Sequence, residues 1–285
     1  MQRQFIKNVG FKYILNGRSL IVQLISMTKE NSTLTNLQVE AFIKATSTYF
    51  DSVRNKKNLK ELFGSLDFVD IPSFQYYKPF YKFIHKETYE NFIKKGKFQL
   101  GSLKYYREIE RQESRDEKEG FANLIINSGN RQILTSVISG FDKYILCGTY
   151  DIENLDYMSA KYGGYIMKIN SVKSFAEKVM MAIGAESWLL NEINYTDYKA
   201  YAVDTIISDL GGVSPDLSEE MFNILYNISD KPCVYAKPVR FEDEKELRLS
   251  FTMARDTRTK LNFDNLGLLA DIEIIKRFWA KWLDY

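Results

Sequence analysis

Residues 241–251 read Phe-Glu-Asp-Glu-Lys-Glu-Leu-Arg-Leu-Ser-Phe. In a strand, successive side chains point to opposite faces, so this run commits the chain to a sheet with two unlike sides. Leu247, Leu249 and Phe251 fall on one face, and Glu244, Glu246 and Arg248 fall in a row on the other. The apolar row needs a core behind it. The charged row suits either a solvated strand whose charges discourage edge pairing or one wall of a polar cleft.

Other segments supply the rest of such a sheet. Phe11–Leu15, Asn16-Gly17 and Leu20–Met27 form a strand–turn–strand signal, because Asn-Gly tolerates positive φ at both turn positions. Strands are predicted at 81–84, 97–103, 121–127, 132–138, 144–150, 165–169 and 199–206. Helical spacing predicts helices over 86–95, with Gly96 as the stop, over 171–183, capped by Ser171, and over 218–228, capped by Ser218 with Glu219 and Glu220 in its first turn. A helix after the capping box Thr35-Asn36-Leu37-Gln38, one over 58–66, and a last one over 272–283 with Phe278, Trp279 and Trp282 complete the reading. This order gives an α+β protein with a mostly antiparallel sheet. Asp67–Pro79, which carries Pro72 and Pro79, is the best boundary. The expected organisation is an N-terminal accessory or regulatory hairpin-plus-helix unit over 1–70, followed by a catalytic α+β domain over 80–285.

Composition removes several function classes. The 39 basic and 37 acidic residues leave a net charge of +2, which gives no global case for nucleic-acid or membrane binding. The two cysteines, Cys147 and Cys233, form no C-x-x-C pair, so a zinc site or a disulfide framework is not expected. They read as structural thiols in the reducing cytoplasm. A single histidine, His85, excludes any metal site needing two, and no metal is expected. No apolar run of about 18 residues occurs, so no membrane helix is expected. Neither the dinucleotide fingerprint G-x-G-x-x-G nor the phosphate loop G-x-x-x-x-G-K-[ST] is present.

Three segments look unlike ordinary core: Tyr81-Lys82-Phe83 with the downstream Gly101-Ser-Leu-Lys-Tyr-Tyr-Arg107, the acidic Arg115-Asp-Glu-Lys-Glu-Gly120, and the Glu244–Arg248 stretch. In this order and spacing they resemble a loosely related set of bacterial ADP-ribosyltransferase-like proteins, over about residues 80–255. The resemblance implies a split sheet, NAD as substrate, and a toxin or antiphage defence effector that modifies a protein or nucleic-acid target. Residues 1–70 would then contact a regulator or recruit the target. The E-x-E strand is similar to the glutamate pair of mono-ADP-ribosyltransferases. That similarity implies Glu246 as the essential carboxylate and Glu244 as the group that orients or deprotonates the acceptor. Tyr81, Lys82, Tyr105, Tyr106, Arg107, Arg115 and Arg248 become the NAD-binding candidates, with Lys82, or His85 in a shifted register, at the first-strand cation position. Lysine there lacks the planar fork of arginine.

Two other readings stand beside this one. Arg107, Arg111 and Arg115 with their tyrosine neighbours could grip phosphates and stack bases in a nuclease or nucleic-acid-binding effector. The tyrosines, 19 in all, could instead form the recognition surface of a non-enzymatic interaction module.

Overall fold

The computed structural model describes residues 2–6, 10–27, 79–108, 116, 119–128, 131–151, 153, 155–196, 199–205, 217–257 and 259–276. The expected helices over 35–50 and 58–66, together with Arg111, Arg115, Phe278, Trp279 and Trp282, lie outside the described residues. In chain order the elements are β1 (Gln2–Ile6), β2 (Gly10–Leu15), β3 (Arg18–Met27), β4 (Phe80–Ile84), α1 (Lys86–Asn91), β5 (Lys97–Ser102), α2 (Leu103–Glu108), β6 (Phe121–Ser128), β7 (Arg131–Ile138), β8 (Lys143–Thr149), α3 (Leu155–Tyr162), β9 (Tyr165–Ile169), α4 (Val172–Ile183), β10 (Ser187–Glu192), β11 (Asn194–Tyr195), β12 (Ala200–Asp204), α5 (Glu219–Val234), β13 (Ala236–Lys237), β14 (Glu246–Thr252), β15 (Lys260–Asp264) and β16 (Ile272–Lys276). The protein is mixed α+β, and sheet dominates it.

The chain forms two compact units, each discontinuous in sequence. Unit 1 gathers Met1–Ile71, Leu103–Asp142 and Asn194–Val239; unit 2 gathers Pro72–Ser102, Lys143–Ile193 and Arg240–Tyr285. This differs from an accessory unit of 1–70 ahead of a domain of 80–285. The chain crosses between units after Ile71, yet the N-terminal strands do not stand alone, because β3 pairs antiparallel with β7. A lone hairpin is marginal in water, and pairing β3 with the middle of the chain supplies the missing strands.

Unit 1 is built on a six-stranded sheet in the order β1-β2-β3-β7-β6-β12, antiparallel except for β12, which runs parallel to β6. The β2–β3 turn places Asn16 at φ 51° and Gly17 at φ 81°, the two positive values that a tight hairpin turn requires. Helix α5 is capped by Ser218, whose hydroxyl accepts from the Met221 amide at 3.1 Å. Its Phe222, Leu225 and Cys233 pack with Leu20, Leu124, Val137 and Tyr201 in one core.

Unit 2 is built on an antiparallel sheet in the order β10-β14-β8-β4-β9-β16, with β5 also on β8 and β15 on β5. The segment from Ile272, expected to be helical, runs as strand β16 against β9. Its Ile272, Ile274 and Lys276 alternate with period two, and β-branched residues favour the pleated state. One face of the sheet carries Phe80, Leu146, Leu247, Leu249 and Phe251, which pack with Val172, Phe175, Ala176 and Val179 of α4. On the other face Tyr81, Phe83 and Ile166 cluster with Met158 of α3.

The sheet of unit 2 forks at β8. One edge of β8 pairs with β14 along its whole length, from Lys143↔Thr252 to Thr149↔Glu246. The opposite edge is shared, with β4 meeting it only at Tyr81↔Thr149 and β5 only at Gly101↔Ile145 and Ser102↔Tyr144. Lys82 Nζ donates to the Cys147 carbonyl oxygen in the fork at 2.9 Å, which supplies a donor to a backbone acceptor between the two diverging strands.

Candidate active site

The alternating run departs from a single strand. Val239–Glu244 forms a 3₁₀ turn, Lys245 takes φ 45°, and the strand begins only at Glu246. The left-handed residue breaks the period-two pattern, so Glu244 is not in line with Glu246 and Arg248. From Glu246 onward the expected faces hold. Leu247, Leu249 and Phe251 are in the apolar core, and Glu246, Arg248 and Ser250 alternate with them. β14 has β10 on one side and β8 on the other, so it is no edge strand. Glu246 is 4% exposed and Arg248 1%, which rules out a solvated charged face.

Buried charges persist where they are paired and hydrogen-bonded. Arg248 Nε donates to Glu246 Oε1 at 2.8 Å. The pair sits along one strand, two residues apart, and the guanidinium fixes the orientation of the carboxylate.

Glu244 is held separately. Tyr162 Oη donates to its Oε1 at 2.5 Å, and Lys161 Nζ lies 3.1 Å from the same oxygen. Thr149 Oγ1 donates to the Lys245 carbonyl at 2.9 Å and accepts from the Asp151 amide at 3.1 Å. The turn leading into Glu246 is thus pinned from α3 and from the end of β8. One oxygen of the Glu244 carboxylate is thus held by both a lysine and a tyrosine of α3.

Strand register decides which residues share the face of Glu246, because directly opposed residues point the same way. Thr149 stands opposite Glu246, and Tyr81 opposite Thr149. The neighbouring row is Asn191, Arg248 and Cys147. Lys82 alternates with Tyr81 and shares the face of Phe80 and Ile84, on the other side of the sheet. His85 is exposed at the start of α1 and makes no side-chain capping bond. Of the two first-strand candidates named beside it, Tyr81 therefore shares the Glu246 face and Lys82 does not.

Tyr105, Tyr106 and Arg107 belong to unit 1, whereas Tyr81, Lys82, Glu244, Glu246 and Arg248 belong to unit 2. Tyr105 and Tyr106 make an edge-on ring contact with centroids 5.4 Å apart. Arg107 Nε donates to the Glu119 carbonyl at 2.7 Å, and its guanidinium lies 5.6 Å from the Phe141 ring centre. Gly120 has φ 78°, and a Cβ there would lie 2.5 Å from Arg107 Nη2 and 2.8 Å from the Ser139 carbonyl oxygen. Asp116 pairs with Lys199 Nζ at 2.8 Å, with both side chains buried. The acidic R-D-x-x-E-G segment thus has a packing role inside unit 1. Its arginine, Arg115, lies outside the described residues.

Two other groups are locked in their protonated forms. Tyr150, at the end of β8, is pushed up to about 12, first by burial and then by its hydrogen bond to Glu192. Burial pushes the Cys233 thiol up to about 12 as well, which makes it a poor nucleophile near neutral pH. Sequence reasoning missed Thr149, Asn191, Lys161 and Tyr162. Only strand register or a contact across 82 or more residues reveals their relation to the two glutamates.

No protein-family model matches the chain, no curated protein is significantly similar to it, and no solved structure matches its fold.

Proposed function

We propose that unit 2 is an ADP-ribosyltransferase-like domain that consumes NAD, with Glu246 as the essential carboxylate. The observation that carries this reading is the buried Glu246 itself, oriented by Arg248 at the head of a central strand beside Thr149 and Tyr81. The chemistry asks for such a group. Nicotinamide leaves C1′ of the ribose with the electron pair of the glycosidic bond, positive charge develops on the sugar, and a fixed carboxylate stabilises it. Glycosidases meet the same oxocarbenium demand with carboxylates. The acceptor oxygen, nitrogen or sulfur then bonds to C1′ and gives up its proton. Support also comes from the forked antiparallel sheet and from the two sequence segments that fall in unit 2, Tyr81-Lys82-Phe83 and Glu244–Arg248. Glu244, clamped by Lys161 and Tyr162, holds the turn that presents Glu246.

In this reading the protein is a cytoplasmic toxin or antiphage effector that modifies a macromolecular target. The nucleic-acid alternative leans on Arg107, Arg111 and Arg115, and Arg107 is engaged by Glu119 and Phe141 within unit 1. The test is nicotinamide release and label transfer from labelled NAD, with protein and nucleic-acid acceptors, comparing wild type with Glu246→Gln. Release by the wild type that the variant lacks is the expected result. Equal rates in the two proteins, or no release by either, would sink the proposal.

A further inference from the structure

Asn191 is a buried polar group in the row of Arg248 that the chemistry above leaves without a task. It lies on β10 opposite Arg248 and is 2% exposed. Its Nδ2 is buried and meets no hydrogen-bond acceptor. Buried amide donors are nearly always satisfied, and an apolar residue of similar shape carries no such penalty. A carboxamide here therefore calls for an acceptor that the fold itself does not provide.

Register says where that acceptor would be. Asn191 opposes Arg248, and Glu246 lies two residues before Arg248 on the same face. The Ile193 amide donates to the Glu246 carbonyl at 3.0 Å, which fixes the pairing at that end. Diagonal cross-strand neighbours of this kind lie about 7–8 Å apart, within joint reach of one small group. One side chain is a donor and the other an acceptor. A ribose diol presents the complementary pair, one oxygen to accept and one hydroxyl to donate.

We infer that Asn191 is a substrate-binding residue that donates to a hydroxyl oxygen of the ribose bearing the scissile bond, while Glu246 accepts from the neighbouring hydroxyl. This rests on the NAD reading above and adds the part of the substrate that is gripped. It also commits Asn191 to sugar recognition, so ligands without the ribose should be indifferent to it.

Calorimetric titration of the full chain tests this with two probes: nicotinamide, which lacks the sugar, and a non-cleavable carba analogue of NAD. Asn191→Ala is expected to bind the carba analogue about tenfold more weakly, the loss of one hydrogen bond, with nicotinamide affinity unchanged. Asn191→Leu, which fills the same space without a polar group, is expected to show the same loss and to melt at or above the wild-type temperature. Unchanged affinity for the carba analogue in the leucine variant overturns the inference and leaves the NAD reading intact. An equal loss for both probes, or a leucine variant that melts several degrees lower, makes Asn191 structural and also overturns it. No binding of the carba analogue by the wild type brings down both readings.

Discussion

Each unit buries an ion pair, and the two pairs are built differently. In unit 1, Lys199 and Asp116 meet at 2.8 Å across 83 residues of chain. In unit 2, Glu246 and Arg248 meet at the same distance across only two. A contact between distant segments closes a long loop and so helps to define topology. A contact between residues i and i+2 of one strand closes none, because the strand already holds them near each other. Burying either pair is costly. In unit 1 that cost is offset by a fastener between the 116–120 segment and the chain entering β12, where the Asn123 amide also donates to the Lys199 carbonyl at 2.7 Å. In unit 2 the pair itself closes no loop, and what it achieves is a carboxylate held in one orientation. That difference in chain separation is what the proposed role of Glu246 draws on.

The largest effect should break the unit 1 pair. Asp116→Ala leaves the Lys199 ammonium fully buried without its counter-charge and is expected to cost about 3–5 kcal/mol. Urea denaturation followed by far-UV circular dichroism reads this directly, and a loss below about 1 kcal/mol would show that the pair fastens nothing. Next in size is Glu246→Gln, which keeps an oxygen for Arg248 Nε and removes the charge. Nicotinamide release should fall about 10²–10³-fold, while stability falls by less than in Asp116→Ala. If the two variants are equally destabilised and release is unaffected, the local pair is structural and the contrast between the units collapses.

Local rules were readable in the sequence and long-range ones were not. Asn16-Gly17 specified its turn because the constraint is intrinsic to those two residues. The faces of 246–251 were readable because alternation is local, and Ser171 and Ser218 capped their helices as their residue type predicts. The same alternation misplaced Glu244, since nothing in Glu-Asp-Glu-Lys announces that Lys245 turns left-handed. The strand state of Ile272–Lys276 was not legible, because it depends on pairing with β9, about 100 residues earlier in the chain. Burial of the charged row was invisible, because it depends on β10 and β8 lying on either side of β14. Unit 1, assembled from three stretches of chain, rests on β3–β7 and β6–β12 pairings that no window of sequence encodes.

Glu244 falls between the two extremes, since a residue beside the site is tied by a contact across 82 residues. Tyr162→Phe removes that hydrogen bond and leaves Lys161 in place. The expected cost is about 1–2 kcal/mol, together with a lower kcat and little change in KM, because Glu246 is misplaced and not deleted. A drop in stability with kcat unchanged would assign Tyr162 to the fold alone.

The smallest effect concerns Tyr150, whose hydrogen bond to Glu192 links the residue after β8 to the end of β10 across β14. Its folded-state pKa is raised from 10.0 to about 12, so the folded protein holds this proton more tightly than the unfolded chain does. The stability it contributes is therefore fully present below pH 10 and is lost as pH rises towards 12. Tyr150→Phe should unfold less steeply than wild type across that window while differing little from it in pH slope near neutrality. Because the ring is only partly buried, the difference should be modest, and melting curves at closely spaced pH values are the suitable measurement. Superimposable alkaline profiles would mean that this link does not clamp β14 from above. The orientation of Glu246 would then depend on Arg248 and on the Thr149 and Tyr162 contacts below it.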